Sequence, residues 1–311
     1  MIWLDEVEPG RPPWGGVAAI GNFDGVHVGH QALLARAADL ARELGVQAFA
    51  LTFEPHPDRV LRPQVLPGLL TPLEEKARWL REYGVSEVVV ARFDEAFASL
   101  PAEAFLDSVL GLRLGVRGVV VGDDFTFGHQ ARGRLPLLQD WARARGLAVH
   151  VIPPVSWEGQ RVSSSRIRRA LGEGAFDQVL AMLGHPYGLE GRVVPGHGRG
   201  RTLGYPTANL ELEPHQLRPP EGVYLAWASV LGDGAGERWP ALAVYSRRPT
   251  FGTDEAAFEV FLMNFAGDLY ARRLRVLLVR RLRGIIRFPS AAGLQAQIEQ
   301  DFREARRYFG L

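Results

Sequence analysis

The sequence predicts two folds in series: an α/β half built on a parallel sheet, then an antiparallel β-barrel with a C-terminal helix. Three observations lead there. Through about residue 180, short apolar runs alternate with stretches of helical periodicity, the pattern of β-α units whose sheet is covered on both faces. Around residues 182–186 this rhythm gives way to successive strand-like runs with no helix between them, and closure into a barrel removes the exposed edges of so many strands. Residues 292–308 then have helix composition throughout. At 311 residues the chain is long enough for two cores, and the boundary is expected between residues 183 and 184.

In the first half, Val17, Ala18, Ala19 and Ile20 read as a short buried strand. It runs into Gly21-Asn22-Phe23-Asp24-Gly25-Val26-His27-Val28-Gly29-His30, and residues 31–38 follow at helical spacing. This strand-to-helix turn carries glycines that let a ligand approach the backbone, and a helix N-terminus that favours an anion. A helix starting near Gly29 keeps His27 and His30 on one side, a place to hold a phosphate. Residues 46–53 read as the next strand, ending at Glu54-Pro55-His56-Pro57, where two prolines predict a rigid loop displaying Glu54 and His56. Residues 73–83 are helical, with Thr71 a candidate cap before Pro72.

Residues 85–91 are strand-like, 101–112 helical, and 118–121 a third buried strand that enters Gly122-Asp123-Asp124-Phe125-Thr126-Phe127-Gly128. Residues 135–145 return as helix and 148–152 as strand. Ligands of such sheets sit beyond the carboxyl ends of the strands, so the loops at 21–30, 54–57 and 122–128 are expected to meet at one edge. Val162-Ser163-Ser164-Ser165-Arg166-Ile167-Arg168 closes this half: serines suited to cap a helix, followed by arginines suited to phosphates.

In the second half, strands at 223–231 and 239–245 flank a turn-rich 232–236, and strands at 258–265 and 274–282 flank Ala266-Gly267-Asp268; both pairs read as hairpins. The stretch from Gly196 to Asn209, GHGRGRTLGYPTAN, could wrap a polyphosphate, while Thr207 and Asn209 offer neutral oxygens to a hard cation such as Mg²⁺. It is not a Walker loop, because no Gly-Lys-Ser/Thr follows its glycines. Glu259 lies between large apolar neighbours on a strand, which suits either a solvent-facing carboxylate or a general base near a phosphoryl acceptor.

Composition narrows the classes. Hydrophobic residues make up 47% and charged ones 23%, so a soluble globular protein is expected; the net charge of +1 argues against a dedicated nucleic-acid binder. The absence of cysteine excludes disulfides, thiolate metal sites and cysteine nucleophiles. No apolar run suits a bilayer span and the first residues do not resemble a signal peptide, so the cytoplasm is the expected compartment. The basic residues are almost all arginine, with Lys76 the one lysine.

Taken together and in this order, GNFDGVHVGH, TFEPHP, GDDFTFG, VSSSRIR, GRGRTLGYPTAN, RRPTFG and the segment FEVFLMNF…DLY resemble the bacterial bifunctional riboflavin kinase/FMN adenylyltransferases, also called FAD synthetases. The resemblance implies a Rossmann-like nucleotidylyltransferase domain at 1–183 that moves AMP from ATP to FMN, and a β-barrel riboflavin kinase domain at 184–311. It implies that His27 and His30 stabilise charge on the ATP phosphates. Gly21, Asn22, Phe23, Asp24, Gly29, Asp124, Ser164, Ser165 and Arg168 would complete the nucleotide contacts. Phe53, His56, Pro57, Phe125, Phe127 and Arg248 would face the flavin. In the kinase half it implies Thr207 and Asn209 on Mg²⁺, Glu259 as base, and Gly198, Gly200, Arg201, Gly204 and Pro206 around the second ATP. ATP, riboflavin, FMN and FAD are the implied partners, with Mg²⁺ accompanying ATP, no nucleic acid and no membrane; oligomeric state is not implied.

Seven positions depart from the family pattern: Ser165 for threonine, Asp124 for asparagine, Val244-Tyr245-Ser246 for Asn-Ile-Gly, Phe261 for histidine and Asn264 for aspartate. The histidine turn alone also fits nucleotidylyltransferases acting on other phosphorylated substrates, which lack the PTAN segment. The departures in the second half would suit a flavin-binding regulatory protein with one degenerate site.

Overall fold

The computed structural model of the protein describes residues 1–64, 66–196, 205–232, 237–250 and 253–311, exclusive of the side chains of 248–250, 253–256 and 291. Two compact units emerge, Met1–Ser164 and Ser165–Leu311.

The first unit is a six-stranded sheet of β1 (Ile2–Trp3), β2 (Val17–Ile20), β3 (Ala48–Glu54), β4 (Glu87–Arg92), β5 (Gly118–Gly122) and β6 (Ala148–Ile152). Its order is β1-β4-β3-β2-β5-β6, and every neighbouring pair is parallel. The helices are α1 (Val28–Leu44), α2 (Pro57–Leu61), α3 (Leu73–Glu82), α4 (Glu95–Ala98), α5 (Ala102–Ala104, continued by the π-helical Phe105–Arg113) and α6 (Leu135–Arg143); a small hairpin, β7 (Ser156–Trp157) and β8 (Gln160–Arg161), follows.

Alternate residues of β2 serve opposite faces. Val17 and Ala19 pack with Leu34 and Leu40 of α1 and Leu80 of α3, whereas Ala18 and Ile20 pack with Leu106, Leu110 and Leu138. Both faces are therefore covered, which is why the strands read as unbroken apolar runs. From β2 the chain adds β3 and β4 on one side and then β5 and β6 on the other. The loops after β2, β3 and β5 leave the same edge, and the reversal of strand order falls at β2 and β5, where open α/β sheets bind ligands. Thr71 does not cap α3: Pro72 occupies that position without a side-chain cap bond, and the Thr71 hydroxyl turns instead to the loop after β2.

In the second unit, α7 (Ser164–Gly172, which starts at the last residue of the first unit) and α8 (Phe176–Leu183) precede a closed barrel. Its strands are β9 (Tyr187–Val194), β10 (Ala208–Leu212), β11 (Gly222–Leu231), β12 (Trp239–Thr250), β13 (Thr253–Leu262) and β14 (Arg273–Arg283), in the order β10-β13-β12-β11-β14-β9. Ala226, Ala228, Ala241 and Ala243 are fully buried beside Tyr224, Tyr245 and Phe258, the mixture of small and large side chains that a narrow barrel can hold. The other face of the same strands presents Val223, Leu225, Leu242, Val244 and Phe261 to Ile298, Phe302 and Phe309 of α9 (Ala291–Phe309). Arg283 on β14 clamps Asp301 of this helix, with Nε 2.9 Å from Oδ1 and Nη2 2.7 Å from Oδ2.

One expected pairing is wrong. Residues 258–265 and 274–282 do not form a hairpin: β13 pairs with β12 and β10, and β14 with β11 and β9. Both edges of β13 are occupied, so the turn at 266–268 releases the chain to close the barrel elsewhere. The partner hairpin is β12–β13, whose register runs from Ala241↔Leu262 to Thr250↔Thr253.

Candidate active sites

The turn after β2 is strained and braced. Phe23 (φ 52°) and Val26 (φ 39°) hold left-handed backbone beside Gly25 (φ 87°), conformations that persist only where the surroundings impose them. Here they do. The Asp24 carboxylate, 1% exposed, accepts from Leu70 N–H at 2.9 Å and Thr71 N–H at 3.1 Å. Gly25 N–H donates to Thr71 Oγ1 at 3.0 Å, Gln31 Nε2 to the Val26 carbonyl at 2.9 Å, and the Ser164 hydroxyl to the Asp24 carbonyl at 2.8 Å. Thr52 Oγ1 donates to the Asn22 carbonyl at 3.1 Å. Asp24, expected at the nucleotide, also braces the segment before α3 through these bonds.

His27 is the N-cap of α1, its Nδ1 accepting from His30 N–H at 3.3 Å. In the neutral ring that bond leaves the proton on Nε2. The His27 and His30 rings stack, centroids 3.6 Å apart and 14° from parallel, and Phe23 meets His30 edge-on. Gly29 is required here because a Cβ would press on the His27 ring at 3.1 Å. Burial, then His27, then the ammonium of Lys76 hold His30 well below its ordinary pKa of 6.5, so it is neutral at pH 7. Among the described residues the N–H groups of Val28 and Gly29 have no protein acceptor, as expected for the first turn of a helix. The site thus offers a neutral His30 imidazole beside His27, and helix N–H donors, to an anion.

Of the remaining expected residues, Gly21 lies against the Phe23 ring and Asn22 is exposed at the tip of the turn. Asp124 is exposed and pairs with Arg161 Nη2 at 2.7 Å; the same guanidinium reaches Asp123 at 3.0 Å. Phe125 stacks at 5.4 Å on Phe127, which is itself buried against Phe105. Phe53 is buried against Phe93 and Phe97. His56 is not displayed as expected: it is 5% exposed, capping α2 by accepting from Asp58 N–H at 3.1 Å, with Pro57 as the first residue of that helix. Ser165 and Arg168 belong to the second unit, where Arg168 lies one helical turn beyond Ser164 on α7.

The second constellation is on the barrel. Asn209 on β10 stands opposite Glu259 on β13, and the Thr207 hydroxyl donates to Glu259 Oε2 at 3.2 Å. Gly196 makes room for Asn209, since a Cβ there would overlap its amide. Two residues beyond Glu259, Phe261 meets Phe302 of α9 edge-on at 4.8 Å, and Tyr205 stacks on Phe302 at 4.5 Å. Phe261 therefore completes an aromatic wall beside the carboxylate. Of the other departures in this half, Tyr245 is buried within the barrel near Phe258, and Asn264 adopts φ 59°, a conformation asparagine tolerates. Pro206 adjoins Thr207; Arg248 lies on β12 opposite Glu255; Gly198, Gly200, Arg201 and Gly204 lie outside the described residues. Among the described residues no group of three or more His, Asp or Glu side chains is placed to hold a metal.

Thr52 and Arg161 carry no local signal in the sequence; Thr71 reads there as a helix cap, Gly196 as part of a phosphate-wrapping stretch and Lys76 only as a rare residue, whereas in the fold they position the site residues. The pairing partners of Thr71 and Lys76 are distant in the chain, so only the fold reveals them.

Residues 12–166 match the family model of FAD synthetase, and residues 183–309 that of riboflavin kinase. The chain is 40% identical over 300 residues to the bifunctional riboflavin kinase/FMN adenylyltransferase of Escherichia coli strain K12, covering 96% of this chain and 95% of that one. Its identity to the Pseudomonas fluorescens protein of the same name is 42% over 293 residues, covering 94% and 92%. A solved structure described as a macrolide-efflux protein from Streptococcus pneumoniae matches with a TM-score of 0.85 at 31% identity, covering 97% of this chain and 96% of that one. No helix among the described residues is long and apolar enough to cross a membrane. With a FAD synthetase match across the histidine-turn sheet and a riboflavin kinase match across the barrel, the chain belongs to the bifunctional riboflavin kinase/FMN adenylyltransferase family.

Proposed function

We propose that the two constellations divide the two reactions between them, adenylyl transfer at the histidine turn and riboflavin phosphorylation at Thr207, Asn209 and Glu259. The functional division falls after Leu183, in keeping with a riboflavin kinase match that begins at residue 183. The observation that supports the first assignment most strongly is the stacked His27–His30 pair, with His30 neutral, at the N-terminus of α1. In adenylyl transfer an FMN phosphate oxygen attacks the α-phosphorus of ATP, and the bond to the bridging oxygen breaks to release pyrophosphate. No protein nucleophile is needed. Imidazole N–H and helix N–H groups stabilise the negative charge that builds on the phosphoryl oxygens, the largest catalytic contribution in such sites. Asn22, Asp124 and Ser164 bind the nucleotide, while Gly21, Phe23, Asp24 and Gly29 shape the turn that receives it. Phe125 meets the flavin with Phe127 stacked behind it, and Phe53, His56 and Pro57 support that wall.

In the kinase reaction Glu259 accepts the proton of the riboflavin 5′-hydroxyl as that oxygen takes the γ-phosphoryl group of ATP. The hard oxygens of Thr207 and Asn209 beside a carboxylate fit Mg²⁺, which is commonly held by few protein ligands together with substrate phosphates. When bound, Mg²⁺ neutralises charge on the phosphates. The family resemblance assigns Gly198, Gly200, Arg201, Gly204 and Pro206 to those phosphates and Arg248 to the flavin. The enzyme is cytoplasmic and needs neither nucleic acid nor membrane.

His30→Ala should stop FAD formation while FMN still accumulates from riboflavin, and Glu259→Ala should do the reverse. Loss of both products from either substitution in a folded protein refutes two separate sites.

A further inference from the structure

The buried charge beneath the histidine turn has no part in the roles assigned above. Lys76, on α3, is 3% exposed. Its Nζ makes one hydrogen bond among the described residues, to Thr52 Oγ1 at 3.3 Å, and no carboxylate lies within ion-pair distance. An ammonium has three protons to satisfy, and burying one so sparsely bonded is costly unless its charge is used. Thr52 in turn donates to the carbonyl of Asn22, the residue at the tip of the turn. The groups facing Lys76 are the carboxylates of Asp24 on the turn and Glu54 at the end of β3, and the His30 ring on α1. Those facing His30 are His27 and Lys76. Burial lowers the Lys76 pKa, and Asp24 and Glu54 oppose that shift.

We propose that Lys76 is a positioning residue for adenylyl transfer: through Thr52 it fixes the Asn22 end of the histidine turn, and in its protonated form it adds positive charge to the buried side of the turn that meets the ATP phosphates. The inference rests on the assignment of adenylyl transfer to this turn. Charge and hydrogen bonding can be separated by substitution. Lys76→Met keeps the length of the side chain and removes both, while Thr52→Val breaks the relay to Asn22 and leaves the ammonium in place.

The experiment measures FAD formation from FMN and ATP, and FMN formation from riboflavin, on the same full-length preparations across pH, with circular dichroism and thermal unfolding as controls. K76M is expected to lower kcat for FAD formation at least tenfold and to leave riboflavin phosphorylation within twofold. Because the ammonium disfavours protonation of His30, its removal should also move the acid limb of the FAD profile to higher pH. T52V should lower FAD formation without moving that limb. A wild-type rate and profile for K76M overturns the proposal, as does a rate loss shared equally by K76M and T52V with an unmoved limb, which is the mark of packing alone. Should K76M fail to fold, T52V decides: unchanged FAD formation overturns the relay, and a specific loss supports it. His30→Ala, run alongside, tells the two readings apart, since retention of FAD formation there refutes the site assignment itself.

Discussion

Asp24→Ala isolates the brace of the histidine turn. Its carboxylate is almost fully buried and accepts from two backbone N–H groups, at Leu70 (2.9 Å) and Thr71 (3.1 Å). Hydrogen bonds to a charged group contribute about 1.5–3 kcal/mol each, so removing both costs about 3–6 kcal/mol. For a unit of this size that corresponds to a melting temperature roughly 6–24 °C lower. The left-handed backbone at Phe23 and Val26 would then relax, and FAD formation should fall even below the new melting temperature. Asp24→Asn keeps one oxygen acceptor and should recover part of the stability. The assay is thermal unfolding followed by both flavin conversions at a temperature where the variants are folded. If Asp24→Ala abolishes FAD formation but melts within about 2 °C of wild type, the carboxylate acts on the nucleotide and the brace reading fails.

Gly196→Ala forces its new Cβ onto the Asn209 amide and should reduce riboflavin phosphorylation tenfold or more while sparing FAD formation; equal kinase rates would show that Asn209 needs no such space. The depressed pKa of His30 has a defined effect on stability. Below its unfolded value of 6.5 the unfolded chain binds a proton that the folded site refuses, so stability is unaffected above that pH and declines as pH falls beneath it. Urea midpoints of the N-terminal transition should show this decline, and His30→Ala should flatten it.

The sheet was legible because its strands are buried on both faces, so β2, β4 and β5 appear as continuous apolar runs bounded by glycine or charge. The edge where loops 21–30, 54–57 and 122–128 gather followed from parallel strand order alone. Strand pairing in the barrel was less legible. The turn residues 266–268 mark a loop but do not say which strands it joins, and the β12–β13 hairpin passes through RRPTFG, which lacks an alternating pattern. The prolines around His56 marked the end of β3, but not the helix that Pro57 opens, and they carried no information about burial. The site was read in outline from its motifs, since glycines, imidazoles and the Thr207–Asn209 pair are local signals. Its support was not, because Thr71 reaches back 46 residues to Gly25 and Lys76 reaches 24 residues to Thr52.

Purified protein incubated with riboflavin, ATP and Mg²⁺, with the flavins separated chromatographically over time, tests most directly whether one chain runs both reactions. FMN should appear first and FAD should follow at its expense. Conversion of supplied FMN without consumption of riboflavin would leave only the histidine-turn activity, and no conversion of either flavin would contradict the account.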